Sequence, residues 1–184
     1  MKLQINSELV SSSANGPGNR YVIWTQGCEL NCDGCFNPES HDINNGFEID
    51  VDELYQNVIS IKQNEGVSIS GGEPLLQMEP LLELLNKIKK ETNLSTLIFT
   101  GYTFSEIEVD KELSKILELT DILILGRYEN SKPSEHPLLG SSNQEIIFLT
   151  DRYSMKDISN IACEVIIDDK GNIKITGIEI LKTK

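Results

Sequence analysis

The 184-residue sequence has no apolar run long enough to cross a membrane, and it is poor in basic residues. A bilayer-spanning helix needs about 20 consecutive apolar residues, and the N-terminus lacks the long apolar stretch and cleavage site of a signal peptide. Lys and Arg number 16 against 29 Asp and Glu, giving a formal net charge of −13. Because such a surface repels nucleic acids and anionic lipids, we expect neither nucleic acid nor membrane among its partners. The lack of an apolar span and of a signal-peptide pattern predicts a cytoplasmic protein.

Cysteine is also scarce, with four residues in the chain: Cys28, Cys32, Cys35 and Cys163. Disulfides are rare in the cytosol, and three cysteines crowded into one short segment are a poor disulfide framework but typical of a metal site. Cys163 lies instead in an apolar stretch, where a buried thiol on a strand is the better prediction.

Short β-branched runs alternate with segments of helical periodicity along the chain. The predicted strands are 21–25, 67–70, 96–100, 122–125 and 145–149, and the predicted helices are 50–64, 75–90, 111–119 and 155–161. Alternating β and α units predict a parallel sheet with right-handed crossovers. A turn signal at 169–172 separates two further strand patterns and predicts an antiparallel hairpin.

The length of the chain limits the size of the fold. A complete eight-unit β/α barrel needs about 250 residues, so this chain has room for only five or six units. We therefore expect an α/β fold in a single domain over residues 1–184. It would be an incomplete, open (β/α)6-type barrel with its core at about 15–150 and a C-terminal β-hairpin at about 163–181.

The cysteine loop, residues 26–35, follows the first predicted strand and has the spacing C-x3-C-x2-C. A single loop can bring three thiolates to one cluster, and Gly27 and Gly34 give it the necessary freedom. Iron–sulfur cubes are normally held by four cysteines, so three ligands would leave one iron with an exchangeable position, as in catalytic metal centres. A zinc site with His41 as fourth ligand and a closed electron-transfer cluster are the alternatives.

This cysteine spacing after the first strand of an α/β domain resembles the radical S-adenosylmethionine (SAM) superfamily. Many members carry an aromatic residue before the third cysteine, where this chain has Gly34. Glycine at that position, and the Phe-Asn-Pro sequence at 36–38, resemble the anaerobic ribonucleotide reductase activating proteins. The segments 15–20 and 140–144 resemble further parts of that subgroup.

A second motif, Ser70-Gly71-Gly72-Glu73, follows the second predicted strand. Glycines at the end of a strand let a ligand approach the backbone closely, and loops at that end of a β/α barrel build the active site. The motif matches the GGE motif of the superfamily, which the resemblance implies binds the methionyl amino group of SAM. The other SAM contacts that the resemblance implies are Asn37, Thr100, Gly101 and Arg127.

The resemblance implies a [4Fe-4S] cluster held by Cys28, Cys32 and Cys35, with SAM chelating the fourth iron and Arg127 pairing with the SAM carboxylate. Reductive cleavage of SAM would then give methionine and a 5′-deoxyadenosyl radical. A short, open barrel predicts that a large protein substrate covers this radical. Together with this, the resemblance implies an anaerobic oxidoreductase that generates a glycyl radical on a partner enzyme, anaerobic ribonucleotide reductase, with a flavodoxin- or ferredoxin-like electron donor.

Two other functions share part of this pattern. A radical SAM enzyme acting on another peptide, a nucleotide or another glycyl radical enzyme would use the same cluster and SAM residues. A non-catalytic iron–sulfur electron carrier would need neither the GGE motif nor SAM cleavage.

Overall fold

The computed structural model describes residues 1–167, 169–171 and 173–177, in which strands alternate with helices. The strands are β1 (Lys2–Ser12), β2 (Arg20–Thr25), β3 (Phe47–Asp50), β4 (Gly66–Gly71), β5 (Ser95–Thr100), β6 (Ile122–Leu125), β7 (Glu145–Phe148), β8 (Glu164–Ile167) and β9 (Ile173–Thr176). The α-helices are α1 (Val51–Ser60), α2 (Met78–Glu91), α3 (Phe104–Val109) and α4 (Met155–Ile158), and 3₁₀ turns span Pro38–Ser40, Pro74–Gln77 and Leu113–Glu118. Within the described residues, no helix has the length and apolar character needed to traverse a bilayer.

Seven strands form one sheet in the order β3-β1-β2-β4-β5-β6-β7. The central strands β2, β4, β5 and β6 are parallel to one another. On the two sides of this parallel centre, β1, β3 and β7 pair antiparallel. The α/β class with a parallel central sheet is confirmed, whereas the (β/α)6-type barrel is not, because among the described residues only four of the seven strands in this sheet have the barrel's parallel direction.

The helices differ from the predicted pattern in bounds and number. The segment predicted as helix 75–90 begins as a 3₁₀ turn before α2, and the segment at 111–119 forms only a 3₁₀ turn. Strands β1 and β3 and helix α3 were not predicted. Helix α3 begins with a capping box in which Thr103 and Glu106 exchange hydrogen bonds, a sequence signal that the periodicity alone does not detect.

Apolar side chains cover both faces of the sheet. One face packs on α1 and α2, whose buried positions are Val51, Leu54, Tyr55, Val58, Leu81, Leu84, Leu85 and Ile88. The other face carries a smaller cluster, which is Leu97, Ile122, Ile124, Leu138 and Ile158. Because β6 is covered on both faces, all four of its residues are buried, as in parallel sheets generally.

Strands β8 and β9 form a separate two-stranded antiparallel sheet. Glu164 of β8 accepts hydrogen bonds from the hydroxyls of Ser12 (2.6 Å) and Ser13 (2.8 Å), and Asn15 Nδ2 donates to Thr176 Oγ1 at 2.8 Å. This hairpin therefore lies against the end of β1 and the loop after it. Residues 168, 172 and 178–181 of the hairpin predicted at 163–181 lie outside the described residues.

Candidate functional site

A cavity of about 390 Å³ opens where the parallel strands β2, β4, β5 and β6 end. Ligand pockets in proteins typically range from about 300 to 1,000 Å³. The predicted site residues that line this cavity are Cys28, Cys32, Cys35, Asn37, Ser70, Gly71, Gly72, Glu73, Thr100 and Gly101. The structure thus brings together every residue predicted for the site except Arg127.

The cysteine loop turns back on itself so that its thiols face the cavity. The loop is anchored at its start, where Gly27 N donates to the Ser40 carbonyl at 2.8 Å and Cys28 N to the His41 carbonyl at 3.0 Å. Gly27 and Gly34 have left-handed φ values of 95° and 68°, a conformation that glycine adopts without steric penalty. The turn that presents the three thiols therefore depends on these two glycines.

The three thiols of the loop are free and half-buried. Burial is the main cause that raises the pKa of Cys28 and of Cys35, and a bound metal would reverse this effect because a coordinating thiol is deprotonated. In the described chain, no three His, Cys, Asp or Glu side chains are arranged to hold a single metal ion. Thiolates are soft ligands that bind both iron–sulfur clusters and zinc. The three thiols lining this cavity therefore fit an iron–sulfur cluster, and their chemistry would also suit zinc.

The GGE motif packs directly on the cysteine loop. Gly72 N donates to the Thr25 carbonyl and Glu73 N to the Gly27 carbonyl, each at 2.8 Å. A Cβ atom on Gly72 would overlap the Gly27 carbonyl oxygen. The sequence motif suggested that these glycines admit a ligand, whereas at Gly72 the close neighbour is the backbone of the cysteine loop itself.

Glu73 is buried, with 1% of its surface exposed, and it joins the ends of β4 and β5. Its carboxylate accepts hydrogen bonds from Leu75 N (2.9 Å), Thr100 Oγ1 (2.8 Å) and Gly101 N (2.8 Å). Burial raises the pKa of Glu73, and these hydrogen bonds oppose that shift. Thr100 and Gly101, predicted as SAM contacts, are thereby tied to the GGE motif.

Arg127 lies beside the cavity and is already paired. Its guanidinium donates to both carboxylate oxygens of Glu106, at 2.8 and 3.0 Å, and to the Gly101 carbonyl at 3.2 Å. The Arg127 guanidinium is the main cause that lowers the pKa of Glu106 to about 2. The predicted contact between Arg127 and the SAM carboxylate stays a prediction, and it would have to compete with Glu106.

Further side chains that no sequence motif indicated line the cavity, among them Trp24, Phe99 and Lys174. The lining also includes Tyr128, and Gln144 of the segment 140–144. Gln144 holds two loops together: its Oε1 accepts from Gly140 N at 2.8 Å, and its Nε2 donates to the Gly126 carbonyl at 2.8 Å. Through Gln144, the segment 140–144 is therefore hydrogen-bonded to the loop after β6, and both contribute to the cavity wall. The sequence signal for this segment was its resemblance to the anaerobic ribonucleotide reductase activating proteins.

Comparison with known proteins identifies the family. A family model described as "4Fe-4S single cluster domain" matches residues 14–147. The chain belongs to this 4Fe-4S family. Its match covers the cysteine loop, the GGE motif and the ends of all four parallel strands. The half-buried thiols of the loop lie within the matched residues and line the cavity.

Relatives of this 4Fe-4S protein are named as activating enzymes. The pyruvate formate-lyase-activating enzyme of Listeria monocytogenes is 31% identical over 151 residues, which are 78% of this chain and 60% of the relative. The enzyme of the same name from Staphylococcus epidermidis is 32% identical over 185 residues, which are 94% of this chain and 73% of the relative. The resemblance to the radical SAM activating proteins is confirmed. The chain spans about 60% of the length of the Listeria relative.

Among solved structures, the chain is similar to QueE from Escherichia coli. The TM-score is 0.45 at 20% sequence identity, over 56% of this chain and 54% of that chain.

Proposed function

We propose that this chain is a radical SAM activating enzyme that cleaves SAM reductively and generates a glycyl radical on a partner enzyme. The observation that carries the proposal is the number of thiols at the cavity. Of the four cysteines, Cys28, Cys32 and Cys35 line it, and Cys163 is not among its lining residues. A cube with three thiolate ligands keeps one iron for a chelating cosubstrate, because four cysteines complete the normal set.

Bound at the three thiols, a reduced [4Fe-4S] cluster would supply the electron that cleaves SAM into methionine and a 5′-deoxyadenosyl radical. The chain's own residues position the reactants. The backbone of the GGE motif, fixed to the cysteine loop by the hydrogen bond from Glu73 N to the Gly27 carbonyl, would hold the methionyl end of SAM close to the thiols. Asn37 Nδ2 donates to the Gly71 carbonyl at 3.2 Å and links the residue after the cysteines to this motif.

The rim of the cavity supports a protein substrate. Phe36 and Ile175 line the cavity, and 57% and 55% of their surfaces are exposed. Contiguous exposed apolar surface is typical of sites that a partner covers, and these two side chains on one cavity would contribute to such a surface. A covering partner would also exclude water from the reaction. The names of the relatives support a glycyl radical enzyme as that partner.

Anaerobic ribonucleotide reductase is the partner that we propose on the sequence motifs. The reductase activating proteins resemble this chain in having glycine before the third cysteine. Here Gly34 has a left-handed φ of 68°, and a Cβ atom at this position would lie 2.9 Å from Asn130 Cβ. The names of the relatives favour a second candidate, pyruvate formate-lyase. A flavodoxin- or ferredoxin-like protein would supply the electron in either case.

The test is electron paramagnetic resonance of mixtures of reconstituted, dithionite-reduced protein with SAM and each purified candidate partner. We expect a glycyl radical doublet on the reductase and none on pyruvate formate-lyase. A doublet on pyruvate formate-lyase alone would replace the proposed partner and keep the activating function. SAM cleavage without a radical on either protein would favour another radical SAM substrate, and no SAM cleavage would favour an electron carrier.

A further inference from the structure

Basic side chains are nearly absent from the cavity wall. Of the described residues that line it, Lys174 is the one Lys or Arg. No carboxylate of the described residues forms an ion pair with it, and partial burial lowers its pKa. A cation in a cavity wall with no counter-ion among the described residues is available to an anionic group of a ligand.

The Lys174 ammonium contacts an aromatic side chain in the cavity wall. Its Nζ lies 4.6 Å from the centre of the Trp24 ring, a favourable distance for a cation–π contact. Trp24 lies opposite Ser70 in the parallel pairing of β2 and β4, and Ser70 begins the GGE motif. The Lys174 ammonium therefore lies against Trp24 in a cavity whose lining also includes the GGE motif.

The hairpin that carries Lys174 is fixed to the rest of the fold. Glu164 and Thr176 anchor it to the segment 12–15 through the hydrogen bonds described above. Lys174 lies two residues from Thr176 on the same strand, so the anchor and the cation share one face of the hairpin.

Arg127, the residue that the resemblance suggests for the carboxylate, is less suited to this role. Its guanidinium is bidentate to Glu106, and it does not line the cavity. Binding a second carboxylate would require the Arg127–Glu106 pair to open.

We propose that Lys174 binds the carboxylate of SAM and thereby orients its methionyl end at the cavity wall; this rests on the proposed function. The contact would be a charge-assisted hydrogen bond from Nζ to a carboxylate oxygen. Residues of the C-terminal hairpin would then complete a site built from the ends of the parallel strands.

The test compares SAM with decarboxylated SAM, which lacks only the carboxylate, by anaerobic calorimetric titration of the reconstituted protein. K174Q should weaken SAM binding by about 10- to 100-fold, the size of one hydrogen bond to a charged group, and change binding of decarboxylated SAM by less than about twofold. K156Q, on the exposed start of α4, is the matched control. R127Q should change the ratio of the affinities for SAM and decarboxylated SAM less than K174Q does. Iron content and melting temperature establish that each variant is folded and loaded.

Three results would overturn the inference: unchanged SAM binding by K174Q, equal losses for both ligands, or a larger carboxylate-dependent loss in R127Q. Should K174Q lose its cluster, K174M, whose side chain is uncharged, unbranched and of similar length, takes its place in the same comparison. Wild-type protein that carries the cluster but binds no SAM would instead overturn the proposed function.

Discussion

The contact between the GGE motif and the cysteine loop makes Gly72→Ala a sharp test of how the site is assembled. Gly72 has no left-handed φ, so alanine adds no backbone strain there. Its Cβ atom would overlap the Gly27 carbonyl oxygen and lie 2.8 Å from the Gly27 carbonyl carbon and 3.0 Å from the Ser40 carbonyl oxygen. All three neighbours are backbone atoms, which cannot rotate away as a side chain can.

The size of the effect follows from these contacts. Overpacking costs about 1–3 kcal/mol, and separating the loops also breaks the hydrogen bond from Glu73 N to the Gly27 carbonyl, worth about 1 kcal/mol. We expect Gly72→Ala to lower the free energy of unfolding by about 2–4 kcal/mol and to reduce iron incorporation. Anaerobic urea unfolding and iron per chain after reconstitution measure the two effects.

Gly101→Ala is the matched control. It also lacks a left-handed φ, and its Cβ atom would overlap Cδ1 of Leu30, the far end of a flexible side chain that borders the cavity. Because Leu30 can change rotamer, we expect a loss of about 1 kcal/mol and normal iron content. A Gly72→Ala protein as stable as Gly101→Ala, with a full complement of iron, would refute the proposed role of this contact.

Three further predictions follow from single residues. Cys32→Ala should abolish iron incorporation because it leaves the cube with two of its three thiolate ligands, whereas Cys163→Ala should retain incorporation within about twofold. Iron and sulfide analysis of the two variants measures this difference. Arg20 is fully buried and donates to hydroxyl and carbonyl oxygens at 2.6–2.8 Å, so Arg20→Lys should cost about 3 kcal/mol in urea unfolding, and an unchanged midpoint would contradict this. The lowered pKa of Glu106 means that its pairing with Arg127 adds stability above the carboxyl's usual pKa and loses it as pH falls toward 2. For this half-exposed pair the loss should be below about 1 kcal/mol and absent in Glu106→Gln, as pH-dependent unfolding would show.

The parallel centre of the fold was predictable because its strands are apolar on both faces. The β-branched run at 122–125 predicts β6 to the residue, since every position is buried. Strand β1 was missed because, after Leu3 and Ile5, most of its residues are polar and only half-buried. It is held by pairing with β2 and β3, which a local pattern does not reveal.

The candidate site was predictable to the extent that its residues follow strand ends. Parallel strands end at one edge of the sheet, so the loops after β2, β4 and β5 meet at one cavity. The pairing of Arg127 with Glu106 was not predictable, because it depends on α3, which the periodicity did not indicate. The approach of Lys174 to Trp24 depends on how the hairpin folds over the sheet, a contact between distant parts of the chain.

The most direct test of the central claim is the release of 5′-deoxyadenosine from SAM by the reconstituted, dithionite-reduced protein, measured per cluster by chromatography. We expect release of both 5′-deoxyadenosine and methionine, and none from a variant in which Cys28, Cys32 and Cys35 are all replaced by alanine. Wild-type protein with a complete cluster and no 5′-deoxyadenosine, or undiminished release from the triple variant, would contradict it.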